Sequence, residues 1–136
     1  MHVSSVVAHS ETHDGGEAQA GPVLSIIIPC YNERGNVEPL FHAVEQAVTH
    51  PRWELIFVDD NSPDGTIGEV WRLARLDSRV RGILRVGRRG LSSAVIEGVL
   101  SSSAPVVAVM DGIEHLFQQA FIMLHVAIHH GNNRRG

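Results

Sequence analysis

Three short polar clusters each follow an apolar run, and their side chains are of types that bind ligands. They are PCYNE (29–33), DDNSPDG (59–65) and DG (111–112). A carboxylate at such a position can accept hydrogen bonds from a base N–H or a ribose hydroxyl, as acidic residues do in nucleotide-binding folds. Tyr31 adds an aromatic ring that could stack on a base. The clusters therefore predict a binding site, and a nucleotide is one ligand that these groups could hold.

The second cluster admits two interpretations. Asp59 and Asp60 leave an apolar run, so at least one carboxylate is expected to face the site. The remaining residues, Asn, Ser, Pro, Asp and Gly, are also the usual residues of a turn. Two adjacent carboxylates are more than a plain turn requires, which favours a binding role.

A diphosphate would need positive charge, because the sequence contains neither G-x-G-x-x-G nor a Walker motif. Arginines or a metal could provide it. Five arginines fall within eleven residues: Arg79, Arg81, Arg85, Arg88 and Arg89. A solvated basic edge explains most of them equally well, but Arg88 and Arg89 lie in a predicted loop before Gly90, where a helix N-terminus would favour an anion.

Asp111 is the natural candidate metal ligand, because Mg²⁺ and Mn²⁺ prefer carboxylate oxygens and share them with phosphates. His125 and His129 have the i, i+4 spacing that can chelate a metal on a helix. A solvated helix face is the better interpretation of that pair. Cys30 is interpreted as a small packing residue.

Alternating strands and helices position these clusters. Strands are predicted at 23–28, 53–58, 79–86 and 105–110, with Pro29 stopping the first. Helices are predicted from Val37, from Thr66 and over 90–103, with Asn36 as a cap and Thr66–Glu69 as a capping box. This order indicates an α/β Rossmann-like parallel sheet with helices on both faces. Its ligand crevice would lie beyond the carboxyl ends of the strands.

The chain divides into a flexible N-terminal tail (1–22), a nucleotide-binding domain (23–115) and a divergent C-terminal helix and tail (116–136). Helix is predicted over 116–130 from the spacing of its apolar residues. A sheet that ends at its fourth strand would leave an edge that favours self-association.

Composition excludes several classes. With 136 residues, 43% hydrophobic and 19% charged, the sequence is that of a single globular domain. The formal charge of −4 argues against nucleic acid as a partner. The sequence shows no signal peptide and no transmembrane span, so a cytoplasmic location is expected, with peripheral contact to the membrane face.

Four ordered stretches closely resemble the family 2 glycosyltransferases: LSIIIPCYNERGNVEPL, WELIFVDDNSPDGT, RVGRRGLSSAVIEG and PVVAVMDG. The nearest likeness is to dolichyl-phosphate mannose synthases and bacterial polyprenyl-phosphate glycosyltransferases. The resemblance implies the N-terminal, nucleotide-binding half of a GT-A fold. It also implies a nucleotide-sugar donor, such as GDP-mannose or a UDP-sugar, and a polyprenyl or dolichyl phosphate acceptor.

The resemblance also assigns residues. Pro29, Tyr31 and Glu33 would border the nucleotide. Val58 and Asp60 would contact it, with Asp59 beside them.

Asp111 matches the first aspartate of the family's D-x-D metal motif, for Mg²⁺ or Mn²⁺. Here Gly112 is followed directly by IEH (113–115), so the second aspartate is missing. The resemblance therefore implies a weakened metal site and a chain truncated after the first aspartate.

Three hypotheses follow. The first is a donor-binding transferase domain with impaired catalysis. The second is an inactive, truncated chain, which the sequence after Gly112 favours. The third, a phosphoacceptor receiver domain, fits poorly, because its acidic pair should follow the first strand and its late-strand Lys has no counterpart in a chain without Lys.

Overall fold

A computed structural model describes residues 21–110 and the backbone of 124–128. Within this part, the chain forms a five-stranded sheet with the order β3-β2-β1-β4-β5. The strands are β1 (Leu24–Cys30), β2 (Trp53–Asp59), β3 (Val80–Leu84), β4 (Val106–Met110) and β5 (Leu124–Ile128). The first four are parallel and β5 pairs antiparallel with β4. The α/β Rossmann-like prediction is confirmed.

Helices cover both faces of the sheet, as predicted. They are α1 (Val37–Ala47), preceded by a 3-10 turn (Arg34–Asn36), α2 (Thr66–Leu76) and α3 (Leu91–Ser101). Alternation along the strands sorts the core into two layers. Ile26 and Ile28 belong to the larger cluster with α1 and α2, whereas Ile27 packs with Val58 and Ala94 on the α3 face. The two layers fix the sheet between the helices, so the strand ends have defined positions.

The prediction that Pro29 stops the first strand is wrong by two residues. β1 continues through Pro29 to Cys30, and these residues pair with Val58 and Asp59 of β2. The β1–β4 pairing, in contrast, runs only from Leu24 to Ile27. Proline lacks a backbone donor and is tolerated where a strand has lost one neighbour. β1 therefore extends beyond the pairing with β4, at the point where the strand order reverses.

The helix starts also differ in detail from the prediction. Asn36 precedes α1, but its side-chain amide donates to Glu33 Oε2 at 2.6 Å. At α2 the expected capping box does not form, because Glu69 binds Arg72 instead. Asp64 takes over, since its Oδ1 accepts the backbone N–H of Thr66 at 2.9 Å. Gly65, with φ of 86°, makes the left-handed turn that aims Asp64 at the helix.

The helix predicted over 116–130 is wrong where the structure describes it. Residues 124–128 form β5, which pairs with β4 from Val106 to Met110. An apolar run of this length fits a strand as well as a helix, and periodicity alone does not separate the two. β4 is therefore covered on both sides, and the edge strands of the described sheet are β3 and β5. His125 lies in β5 and His129 lies outside the described residues, so the structure gives no support to a helical i, i+4 pair.

Candidate nucleotide-binding site

Three loops meet at the carboxyl ends of β1, β2 and β3. The loop after β1 binds the loop after β2 through its backbone: Asn32 N–H donates to Ser62 Oγ at 2.9 Å, and Glu33 N–H to Thr66 Oγ1 at 3.0 Å. Gly90 N–H, at the start of α3, donates to Asp60 Oδ2 at 3.0 Å. These bonds bring the first two predicted clusters together with the loop that carries Arg88 and Arg89.

The two adjacent aspartates have different surroundings. The buried carboxylate of Asp59 accepts the backbone N–H of Ser62 at 3.2 Å and also the Ser62 hydroxyl. This arrangement is a side-chain turn, so the turn interpretation holds for Asp59. Burial raises the pKa of Asp59 above its ordinary value of 3.8, although the bonds from Ser62 act in the opposite direction. Asp59 therefore stabilises the loop after β2 from its buried side.

Asp60 lies on the α3 side of the sheet end and keeps 15% of its side chain exposed. Its backbone N–H donates to Cys30 O at 3.2 Å, which holds it beside the end of β1. Of the two carboxylates, only that of Asp60 is partly exposed at this edge of the sheet.

Tyr31 presents an aromatic face at the same edge, with 44% of the residue exposed. The Arg89 guanidinium lies over the Tyr31 ring, with Cζ 5.3 Å from its centroid. Such a contact is a cation–π interaction, which is weak at an exposed position. A flat ligand could replace the guanidinium on this ring.

Other predicted residues have restricted roles. Val58 is fully buried, so its side chain packs in the core of the α3 face and only its backbone borders the site. Cys30 is buried beneath the loops, and burial, followed by nearby carboxylates, raises the pKa of its thiol. Its packing role is therefore consistent with the structure. Pro29 and Glu33 are partly exposed at the site.

The five arginines do not form one basic patch. Arg79 and Arg81 lie at the amino end of β3 and bind Asp77 and Glu54. Arg88 is 62% exposed, but it binds Glu97 Oε1 at 2.7 Å. Arg88 is therefore already paired, and Arg89 is held only by its contact with Tyr31 among the contacts described.

Arg85 is the residue that the sequence interpretation missed. The sequence places it among residues of a solvated basic edge, but its side chain is fully buried. Its Nε lies 3.3 Å from Asp60 Oδ1 and 3.2 Å from Glu97 Oε2, and its Nη2 donates to Ser93 Oγ at 2.7 Å. The signal was its place in the apolar stretch ILRV (83–86), where a charged residue is either an edge residue or a buried partner of a carboxylate.

The described residues do not by themselves fit a metal centre. Within 21–110, no group of three or more His, Cys, Asp or Glu side chains could hold a metal ion. Asp59 and Asp60 are used by backbone and hydroxyl donors. Asp111 follows Met110, the last residue of β4, and lies outside the described residues, as does the stretch 111–123 that it begins.

Sequence comparison identifies the family. Residues 25–112 match the model of glycosyl transferase family 2. The chain belongs to this family. It is 45% identical over 91 residues to the dolichol-phosphate mannosyltransferase of Pyrococcus furiosus, and 41% identical over 90 residues to that of Saccharomyces cerevisiae. These alignments cover 65% and 64% of this chain, but only 25% and 34% of the two relatives.

Solved structures show the same fold. The mannosyltransferase PcManGT of Pyrobaculum calidifontis, in complex with GDP-Man and Mn²⁺, superposes with a TM-score of 0.57 at 23% identity. The match covers 72% of this chain and 31% of that one. Glucosyl-3-phosphoglycerate synthase of Mycobacterium tuberculosis gives a TM-score of 0.52 at 21% identity, covering 74% and 39%. The fold of this chain is therefore that of the GT-A glycosyltransferases.

Proposed function

We propose that this chain binds the nucleotide part of a nucleotide-sugar donor at the carboxyl ends of β1 and β2. The observation that carries the proposal is the placement of Asp60 and Tyr31 at one edge, beside the reversal of strand order. Tyr31 offers a face for the base, and the partly exposed carboxylate of Asp60 offers an acceptor for a base N–H or a ribose hydroxyl. Pro29, Glu33 and the backbone of Val58 would border the same ligand.

GDP-mannose or a UDP-sugar is the proposed donor, and a polyprenyl or dolichyl phosphate the proposed acceptor. The relatives named dolichol-phosphate mannosyltransferase support this pairing. Such an acceptor lies at a membrane surface, so the domain would act there from outside the bilayer. No helix within the described residues is long and apolar enough to cross a membrane.

In the transfer, an anionic phosphate oxygen of the acceptor attacks the anomeric carbon and the nucleoside diphosphate leaves. A phosphate monoester is already ionised near neutral pH, so a general base is less necessary than with a hydroxyl acceptor. The protein must orient the donor and stabilise the charge of the leaving diphosphate. Arg89 is proposed to stabilise the charge of the leaving diphosphate. A nucleotide base stacked on Tyr31 would displace the Arg89 guanidinium and leave it available for this role. Arg88 could assist only after its ion pair with Glu97 opens.

A divalent cation at Asp111 remains part of the proposal, and it would supply Lewis-acid stabilisation of the diphosphate. Asp111 is followed by Gly112 and Ile113, so the sequence provides one carboxylate where two are expected. We therefore propose donor binding with impaired transfer. The alternative, a chain without transferase activity, is favoured by the same missing aspartate.

A binding experiment tests the proposal. GDP, GDP-mannose and UDP-sugars, each with and without Mn²⁺, should raise the thermal unfolding midpoint, because a ligand of the native state stabilises it by mass action. Asp60→Asn should abolish most of this shift, whereas the matched change Asp77→Asn, at the opposite end of the sheet, should leave it intact. No shift with any nucleotide would refute donor binding. Transfer of labelled sugar to a polyprenyl phosphate would refute the inactive alternative.

A further inference from the structure

Arg85 is an unusual group for the interior of this fold. Its side chain is fully buried, and a buried charge is costly unless it is paired and hydrogen-bonded. The guanidinium reaches Gly90 O at 3.4 Å and Ser93 Oγ at 2.7 Å through its two terminal nitrogens. It therefore connects the loop after β3 to the first turn of α3.

The inner nitrogen of Arg85 lies between two carboxylates. Nε is 3.3 Å from Asp60 Oδ1 and 3.2 Å from Glu97 Oε2. Neither contact has the alignment of a hydrogen bond, and among the described residues both Asp60 Oδ1 and Arg85 Nε are buried without a hydrogen-bond partner. Buried polar atoms in native structures nearly always have partners. The Asp60–Arg85 pair is therefore close but incompletely formed.

Asp60 is held from its other side by a neutral donor. Oδ2 accepts Gly90 N–H at 3.0 Å, and Oδ1 lies 3.3 Å from Arg85 Nε. Gly90 is itself placed by Arg85, since its carbonyl accepts from Nη1. Arg85 thus contacts one oxygen of Asp60 directly, and it also binds the residue whose N–H holds the other.

We infer that Arg85 is a positioning residue that orients the Asp60 carboxylate toward the nucleoside part of the donor. This inference rests on the proposed function, because it assumes that Asp60 accepts a hydrogen bond from the nucleotide. Arg85 is fully buried and acts through Asp60. Its incomplete contact with Oδ1 leaves room for the pair to tighten when a ligand fixes the carboxylate.

Lysine is the informative replacement. Arg85→Lys keeps the charge but replaces a planar fork by a single ammonium group, which cannot reach Asp60, Gly90 and Ser93 together. The matched control is Arg81→Lys. Arg81 lies on the same strand and binds the mostly buried carboxylate of Glu54, but at the amino end of the sheet.

The test is a double-mutant cycle on GDP and UDP affinity, measured by calorimetry on the full chain. Arg85→Lys should raise Kd about tenfold, the loss expected when a hydrogen bond to a charged group is misplaced. In the Asp60→Asn background the same change should have little further effect. Arg81→Lys should leave Kd within about twofold, since additivity holds for distant sites.

The outcomes separate the two proposals. A wild-type chain that binds neither nucleotide overturns the proposed function and this inference with it. Normal affinity in Arg85→Lys, or an equal loss with and without Asp60, overturns only the positioning role and leaves donor binding standing. If Arg85→Lys fails to fold by circular dichroism, Ser93→Ala replaces it in the cycle, because Ser93 holds the same guanidinium. Equal Kd in Ser93→Ala and wild type would then count against the inference.

Discussion

The two ends of the sheet each carry an arginine beside a mostly buried carboxylate, and they differ in how completely the pair is bonded. At the amino end, Glu54 receives Arg81 Nε at 2.9 Å, Arg81 Nη2 at 3.1 Å and the Ser25 hydroxyl at 2.6 Å. At the carboxyl end, the Asp60 side chain has one hydrogen bond from the residues that the structure describes, donated by Gly90 N–H, and an unaligned contact with Arg85. The amino-end cluster is satisfied without a ligand.

The difference assigns separate tasks to similar residues. A fully bonded cluster stabilises the fold and has little capacity left for a ligand. An incompletely bonded cluster contributes less to stability, and unsatisfied groups in native structures often mark functional positions. α3 connects the two clusters, because Arg81 Nη2 also donates to Ser101 O at its end, while Arg85 binds Ser93 near its start.

The largest expected effect is a difference in the free energy of unfolding between variants of Arg81 and Arg85. Arg81→Met should lower the free energy of unfolding by about 3 kcal/mol, because it leaves the mostly buried Glu54 with a single donor. Arg85→Met should cost only about 1 kcal/mol, since Asp60 keeps Gly90 N–H and Glu97 keeps Arg88. Urea denaturation of both variants measures this. A larger loss in Arg85→Met would reverse the assignment of tasks.

A change in the middle of α3 should affect both ends. A Cβ at Gly98 would overlap Cγ2 of Ile27 and lie 3.2 Å from Cγ2 of Val58, so Gly98→Ala should displace the helix from the sheet. We expect a loss of about 2 kcal/mol from overpacking. Nucleotide affinity should fall as well. Gly68→Ala is the control, because a Cβ there meets open space. Unchanged affinity in a destabilised Gly98→Ala would show that the site tolerates movement of α3.

The smallest effect concerns Asp59 and depends on pH. Because burial raises the pKa of Asp59 in the folded state, its contribution to stability is present below its unfolded pKa and is lost as pH rises through the folded value. Asp59→Asn cannot ionise, so its stability relative to wild type should improve as pH rises above 3.8. Denaturation midpoints across the acidic range measure the difference. A constant difference would show that ionisation of Asp59 has no cost in the folded chain.

Much of the fold follows from local pattern. The first four strands and the three described helices could be predicted, because their apolar residues repeat with the period of the element that they form. β5 could not, because an apolar run of strand length has no distinctive period and its pairing with β4 is a tertiary contact. The prediction for Pro29 failed for a related reason. A proline is tolerated at this position in β1 because the pairing with β4 has already ended at Ile27.

The location of the candidate site could be predicted from the sequence, but the contacts of its residues could not. The rule that ligands bind beyond the carboxyl ends of parallel strands predicts Tyr31 and Asp60 at one edge of the sheet, where the structure has them. It could not distinguish Asp59 from Asp60, because their roles follow from the bonds of Ser62 and Gly90, which are tertiary. Arg85 was missed because burial is a property of the assembled fold.

The reactivity of Cys30 can report the opening of the loops that follow β1 and β2. It is the single cysteine, it is buried at the end of β1, and its raised pKa keeps the thiolate scarce. Alkylating reagents should therefore modify it only when the loops over β1 and β2 open, so the labelling rate measures the frequency of that opening. Surface positions of this protein can accept an introduced cysteine for fluorescent labelling without removal of the native one.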